Sequence, residues 1–249
     1  APWKAKIKQS VQERLAGGKS RPHLAAILVG NDPASSAYVR GKVRDCEEVG
    51  FESTLIHLPE TATEAEVLRE IQQLNANPGV SGYIVQLPLP KGIDDKRILL
   101  AIDPEKDVDG FHPDNVGRMA LGLPTYLPAT PYGVLLLMEH YGLSTEGKHA
   151  VIVGRSHIVG SPMSILLGRN GKLGNATATL THSKTPNLAE MTKQADILVA
   201  AIGYAWAVTM VTTKIPHIEP ISINAVAMVF TMVVYLPFLI LHAPEKTPS

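Results

Sequence analysis

Apolar and polar positions change their period repeatedly along the chain, and each change marks an element. Trp3, Ile7, Val11 and Leu15 recur four apart, the spacing of one helix face, and Gly17-Gly18 ends that helix. Residues 24–29 form an unbroken apolar run, which predicts a strand buried on both faces. Gly30-Asn31-Asp32-Pro33 then turns the chain into a helix, with Asp32 as cap, Pro33 at the first position and Gly50 as the stop. Residues 51–58 read as the next strand. The box Thr63-x-x-Glu66 opens a helix that buries Val67, Leu68, Ile71 and Leu74. Residues 80–86 make a third strand, and Leu87-Pro88-Leu89-Pro90 must end it, because proline has no N–H for the ladder. A short helix through Ile98, Leu99 and Leu100 follows, and a longer one from Pro131 through Leu135, Leu136 and Met138 is expected to link two domains. Beyond it come a strand at 151–153, an apolar helix opening near Pro162, a strand at Thr177–Thr181, a helix at 188–194 and a buried strand at Ile197–Ile202. Strand and helix in alternation predict an α/β fold of two domains, 1–128 and 129–249, with doubly wound geometry in the second.

Composition narrows the function. Lysine plus arginine balances aspartate plus glutamate, 23 against 23, with no long block of one sign, so neither nucleic acid nor an anionic membrane is an expected partner. A single cysteine, Cys46, excludes an internal disulfide framework and a cysteine-based zinc cluster, which fits a reducing, cytoplasmic setting; no metal site is expected. The first residues read as a helix and not as a signal peptide. Residues 221–241 carry no charge over 21 positions, yet Asn224 and Pro237 interrupt them. They are expected to pack inside the second domain, beside the strand that ends at Ile202.

Three stretches carry candidate chemistry. In VIVGRSHIVGSPMSILL (151–167) a strand, a glycine turn and a helix N-terminus follow one another, and such a helix end offers unpaired N–H groups and a positive dipole to phosphate. Ser156 and Val159 stand where G-x-G-x-x-G would have glycines, so a plain βα turn is the alternative; Ile158 excludes a G-x-S-x-G nucleophile elbow. About twenty residues beyond Gly154, where an NAD site would place a carboxylate, stand Ser183 and Lys184, and with Arg155 these favour the 2′-phosphate of NADP. Gly17-Gly18-Lys19-Ser20 lacks the first glycine of a P-loop. On the helix after Pro33, Val39, Val43 and Cys46 make the core stripe, and Ser35, Tyr38 and Lys42 fall within roughly 60° of one another beside it. A lysine snorkelling past a packed tyrosine is the bland reading of that trio. The acid-rich run 103–110 reads as a solvated turn.

Taken together, DPASSAYVRGK, GYIVQLPLP, DPEKDVDGFHPDNVGRM, LPATPYGV, GRSHIVGSP and HSKT resemble, in order and spacing, the FolD-like family of bifunctional methylenetetrahydrofolate dehydrogenases and methenyltetrahydrofolate cyclohydrolases. The resemblance covers about residues 5 to 203. It implies two α/β domains flanking a cleft, tetrahydrofolate substrates on the first, NADP on a Rossmann-like second, a homodimer, and a place in one-carbon metabolism and purine biosynthesis. By resemblance Lys42 is the catalytic amine, Gln86 its hydrogen-bond partner, Tyr38 the ring against the folate, and Asp109 the holder of the pterin, with Ser35, Leu87 and Pro88 completing the substrate site. Gly154, Arg155, Ser156, Val159 and Gly160, with Thr130 and Ser183, would bind the cofactor.

After Gly203 the resemblance stops, and the glycine-rich loop usual in the family is missing. Two alternatives therefore stay open at the level of sequence: a monofunctional NADP-dependent dehydrogenase, and a folate- or nucleotide-binding protein without turnover.

Overall fold

The computed structural model describes residues 2–202 and 207–212. Among these, one compact unit runs to Pro113 and a second begins at Asp114.

The first unit holds helix α1 (Pro2–Ala16), strand β1 (His23–Val29), helix α2 (Pro33–Val49), strand β2 (Glu52–Leu58), helix α3 (Glu64–Ala76), strand β3 (Gly82–Val85) and helix α4 (Asp95–Ala101). Its sheet is parallel, in the order β2-β1-β3. β1 is central and buried on both faces, as its apolar run predicts. α2 begins where expected: the Ser35 N–H donates to Asp32 Oδ1 at 2.7 Å, and Pro33 needs no partner at the first position. It ends at Gly50, whose φ of 86° is the left-handed conformation that favours glycine. The Thr63–Glu66 box closes both ways at the start of α3. Ile27, Val67, Ile71, Tyr83 and Ile98 fill the core under the sheet.

The second unit holds most of helix α5 (Pro113–Ala120), helix α6 (Ala129–His140), strand β4 (His149–Val153), helix α7 (Gly160–Gly168), strand β5 (Thr177–Thr181), helix α8 (Leu188–Lys193), strand β6 (Ile197–Ile202) and strand β7 (Ala207–Thr212). The order is β5-β4-β6-β7; the first three are parallel and β7 runs antiparallel to β6. Leu135, Met138, Ile152, Met163, Leu166 and Leu167 make its core.

Several details differ from the sequence expectations. α5 was not anticipated; it carries few apolar positions, but Met119 is buried in the second unit's core with Val116 against it. α6 and α7 each start two residues before the proline expected to open them, so Pro131 and Pro162 sit within the first turn, where a missing N–H is still free of cost. β7 pairs with the side of β6 away from β4; residues 221–241 lie outside the described residues, and so does the expectation about them. No helix among the described residues is long and apolar enough to cross a membrane. The acid-rich run 103–110 is not a solvated turn: Asp107 is 1% exposed and forms a parallel bridge to Tyr83, beside β3.

The parallel strands of both sheets share one winding, with the first strand between the next two. The crevice of such a sheet opens at the carboxyl ends of the two strands where the direction of winding reverses, here β1/β3 and β4/β6.

Candidate active site

At the carboxyl end of β1 and β3, α2 turns one face inward. Ser35, Tyr38 and Lys42, three positions and then four apart, are all buried; Lys42 is only 6% exposed. The Lys42 ammonium lies 4.2 Å from the centroid of the Tyr38 ring, a cation–π contact that holds a charge in a place poor in water. Its anionic neighbour is Asp109, whose Oδ1 is 3.9 Å from Nζ. Burial pushes the Asp109 carboxyl above the usual carboxylate range, and the positive charge of Lys42 pulls it part of the way back. The trio thus sets an amine and a carboxyl, both able to exchange protons, within reach of one another at the crevice.

Gln86 follows β3 directly. Its N–H donates to the Ile27 carbonyl at 2.9 Å, and its buried carboxamide donates from Nε2 to the Leu87 carbonyl at 2.6 Å. The structure thus gives Lys42 the partners Tyr38 and Asp109, while Gln86 is engaged with the backbone of the Leu87-Pro88 turn, whose peptide bond is cis. The Ser35 hydroxyl is buried without a hydrogen-bond partner. A buried polar atom without a partner costs stability, and a polar ligand atom is one way to complete it.

In the second unit, Gly154 and Ser183 lie just past adjacent strand ends: Val153 is in register with Thr181, and the Gly154 N–H donates to the Thr181 carbonyl at 2.9 Å. Between β4 and α7 the Ser156 hydroxyl accepts from the N–H groups of Val159 (3.1 Å) and Gly160 (3.3 Å). Gly160 opens α7 against the Gly154 backbone, and a Cβ there would collide with the Gly154 carbonyl. That close approach is the role glycine plays in a dinucleotide-binding turn, reached here with a spacing of six in place of the common pattern. Arg155, Ser156, Ser183 and Lys184 are exposed, and Thr130 is half-buried on the first turn of α6. Strand end, glycine cradle, helix N-terminus and exposed cations fit a phosphate-bearing cofactor of the NADP type.

Sequence reasoning missed how the run before Asp109 is tied to the end of α3. Asn75 and Lys106 bond the segment that leads to Asp109 to the end of α3; the signal in the sequence was a lone lysine inside a run of carboxylates.

Residues 1–109 match the family model of the tetrahydrofolate dehydrogenase/cyclohydrolase catalytic domain, and residues 128–218 that of the NAD(P)-binding domain of the same proteins. The second match runs past Gly203, where the recognisable motifs end. A curated relative, the bifunctional protein FolD of Flavobacterium johnsoniae, is 58% identical over 200 residues, covering 80% of this chain and 68% of the relative. Among solved structures, the bifunctional FolD of Campylobacter jejuni superposes with a TM-score of 0.86 at 36% identity, covering 99% of this chain and 96% of that one. The FolD of Trypanosoma brucei, solved with NADP cofactor and inhibitor, gives 0.81 at 26% identity, covering 96% and 93%.

Proposed function

The chain belongs to the tetrahydrofolate dehydrogenase/cyclohydrolase family, and from that membership we propose how its own residues carry the two reactions. The protein oxidises methylenetetrahydrofolate to methenyltetrahydrofolate with NADP and hydrolyses the product to formyltetrahydrofolate, a step of one-carbon metabolism. The observation that carries the residue assignment is the Lys42 ammonium seated between the Tyr38 ring and the Asp109 carboxylate at the β1/β3 crevice.

The oxidation needs two flat rings held together and water kept out; NADP, when bound, supplies the electron-pair acceptor. On the protein side, Tyr38 packs the aromatic part of the folate, and Asp109 accepts from the ring N–H and amino group of the pterin. Ser35 offers its hydroxyl, and Gln86, Leu87 and Pro88, at the end of β3, complete the substrate site. Gly154, Arg155, Ser156, Val159 and Gly160, with Thr130 and Ser183, hold the cofactor.

Hydrolysis asks for proton movement. Water adds to the bridging carbon of the methenyl cation, and Lys42 Nζ, acting from its unprotonated amine form, takes a proton from it as the C–O bond forms and becomes the ammonium. One C–N bond then breaks as the carbonyl forms; a proton passes from Nζ to the departing nitrogen, and the second proton of the water leaves to solvent. Asp109 stabilises the ammonium stage, and the Tyr38 face keeps the amine aimed.

We assign folate to residues 1–128 and NADP to 129–249, in a cytoplasmic homodimer. One assay that follows NADPH formation and methenyl decay together tests the reading; a protein that binds both ligands and turns over neither would overturn it. Sedimentation and cell fractionation test the assembly and the location.

A further inference from the structure

Lys106, the cation of the acid-rich run, donates from Nζ to three carbonyls at the end of α3: Leu74 at 2.7 Å, Asn75 at 2.9 Å and Asn77 at 2.7 Å. Leu74 and Asn75 lie in the last turn of α3 and Asn77 is its C-cap, where the helix dipole favours a cation. The Lys106 carbonyl accepts the Tyr83 N–H at 2.9 Å, which lays the run along β3. Asn75 braces the same segment from its start: Oδ1 accepts from the Tyr83 hydroxyl (2.6 Å) and the Asp103 N–H (3.0 Å), and Nδ2 donates to the Ala101 carbonyl (2.9 Å). Downstream, the Asp107 carboxylate accepts the His112 N–H at 2.7 Å. Asp109 therefore projects from a segment pinned on both sides, three positions beyond Lys106.

The two halves of the ion pair have different supports. Lys42 rides on α2, whose start and end are capped beside β1, whereas Asp109 is placed by α3 and β3. The 3.9 Å between Nζ and Oδ1 thus depends on how the 103–110 run is held to the end of α3. We propose that Lys106 is a positioning residue: its three bonds to the α3 carbonyls set the Asp109 carboxylate opposite the Lys42 amine and in place for the pterin. This rests on the folate reading above. A shift of about 1 Å in a reacting group can cost roughly a hundredfold in rate, so a strut remote from the chemistry has leverage.

The test uses the full chain and compares wild type with Lys106→Met, which keeps the stem and deletes the three donors. The expected result is a folate KM raised about tenfold, a cyclohydrolase kcat that falls more than the dehydrogenase kcat, and an NADP dissociation constant, measured without folate, within about twofold of wild type. A role confined to stability would lower the melting temperature and both kcat values by one common factor while leaving the folate KM and the ratio of activities unchanged, and that result overturns the proposal. Should Lys106→Met fail to fold, Lys106→Gln retains a shorter donor; a folate KM raised about threefold supports the strut, and an unchanged KM overturns it. A wild-type protein without folate turnover would overturn the functional reading and the strut together; an active wild type with an unchanged KM in the variants overturns the strut alone.

Discussion

Replacing Lys42 by methionine should separate the two activities. Methionine keeps the length and apolar packing of the lysine stem against Tyr38, so α2 should fold as before, and what disappears is the amine and its charge. Hydride transfer depends on ring alignment, so the dehydrogenase should stay within about tenfold of wild type. Hydrolysis loses its proton carrier, a contribution of typically about 10² to 10⁴ in rate, or roughly 3 to 5 kcal/mol of barrier. A second effect follows from the ion pair. At 3.9 Å, two unit charges attract by about 4 kcal/mol at an effective dielectric near 20, an upper limit for what Asp109 loses. Burial already raises the Asp109 carboxyl and Lys42 opposes the rise, so the variant's carboxyl should climb further. The pterin needs the carboxylate form. Folate binding by the variant should accordingly be retained at high pH and lost as pH falls through the raised value, with KM climbing toward acid at a higher pH than in wild type. Both rates measured against pH on one purified preparation, with melting temperature as control, decide the matter. Gln86→Ala should shift the activities in the same direction by less, since the amine remains. If cyclohydrolase turnover by Lys42→Met stays near wild type, Lys42 is a snorkelling lysine and the mechanism is wrong.

Arg155→Ala should raise the KM for NADP about tenfold or more and that for NAD little, since only NADP carries the 2′-phosphate; equal increases would remove Arg155 from the site. Gly160→Ala should weaken NADP binding and lower the melting temperature, because its Cβ meets the Gly154 backbone, whereas Gly117→Ala on the exposed side of α5, with nothing within 4 Å, should stabilise by about 0.5–1 kcal/mol. Both follow from thermal melts and a cofactor titration. Cys46 is buried with its thiol pushed up to about 12, so alkylation of the native protein near neutral pH should proceed no faster than unfolding and complete only in denaturant; rapid native labelling would contradict the packing of α2.

What could be read from the residues themselves was local. The Asp32-Pro33 start and Gly50 stop of α2, the Thr63–Glu66 box, the buried run of β1 and the proline end of β3 involve groups within a few positions of one another, whose dihedral limits and hydrogen bonds act before any tertiary contact forms. Helical spacing likewise placed Ser35, Tyr38 and Lys42 on one face. Whether Lys42 faced water or a carboxylate was beyond that reasoning, because Asp109 lies far along the chain and meets it only when β3 and α3 hold the 103–110 run in place. The same run looked solvated for the same reason: a charge's cost of burial depends on what is brought beside it, and the end of α3 is invisible to a local rule. α5 is short and has only a few apolar positions to read, and Val116 and Met119, three apart, gain their meaning by packing into the second unit's core. At the cofactor turn the residues alone showed that the common glycine pattern was missing, while folding decided which glycine mattered: Gly160, because there one backbone passes too close to another to admit a side chain.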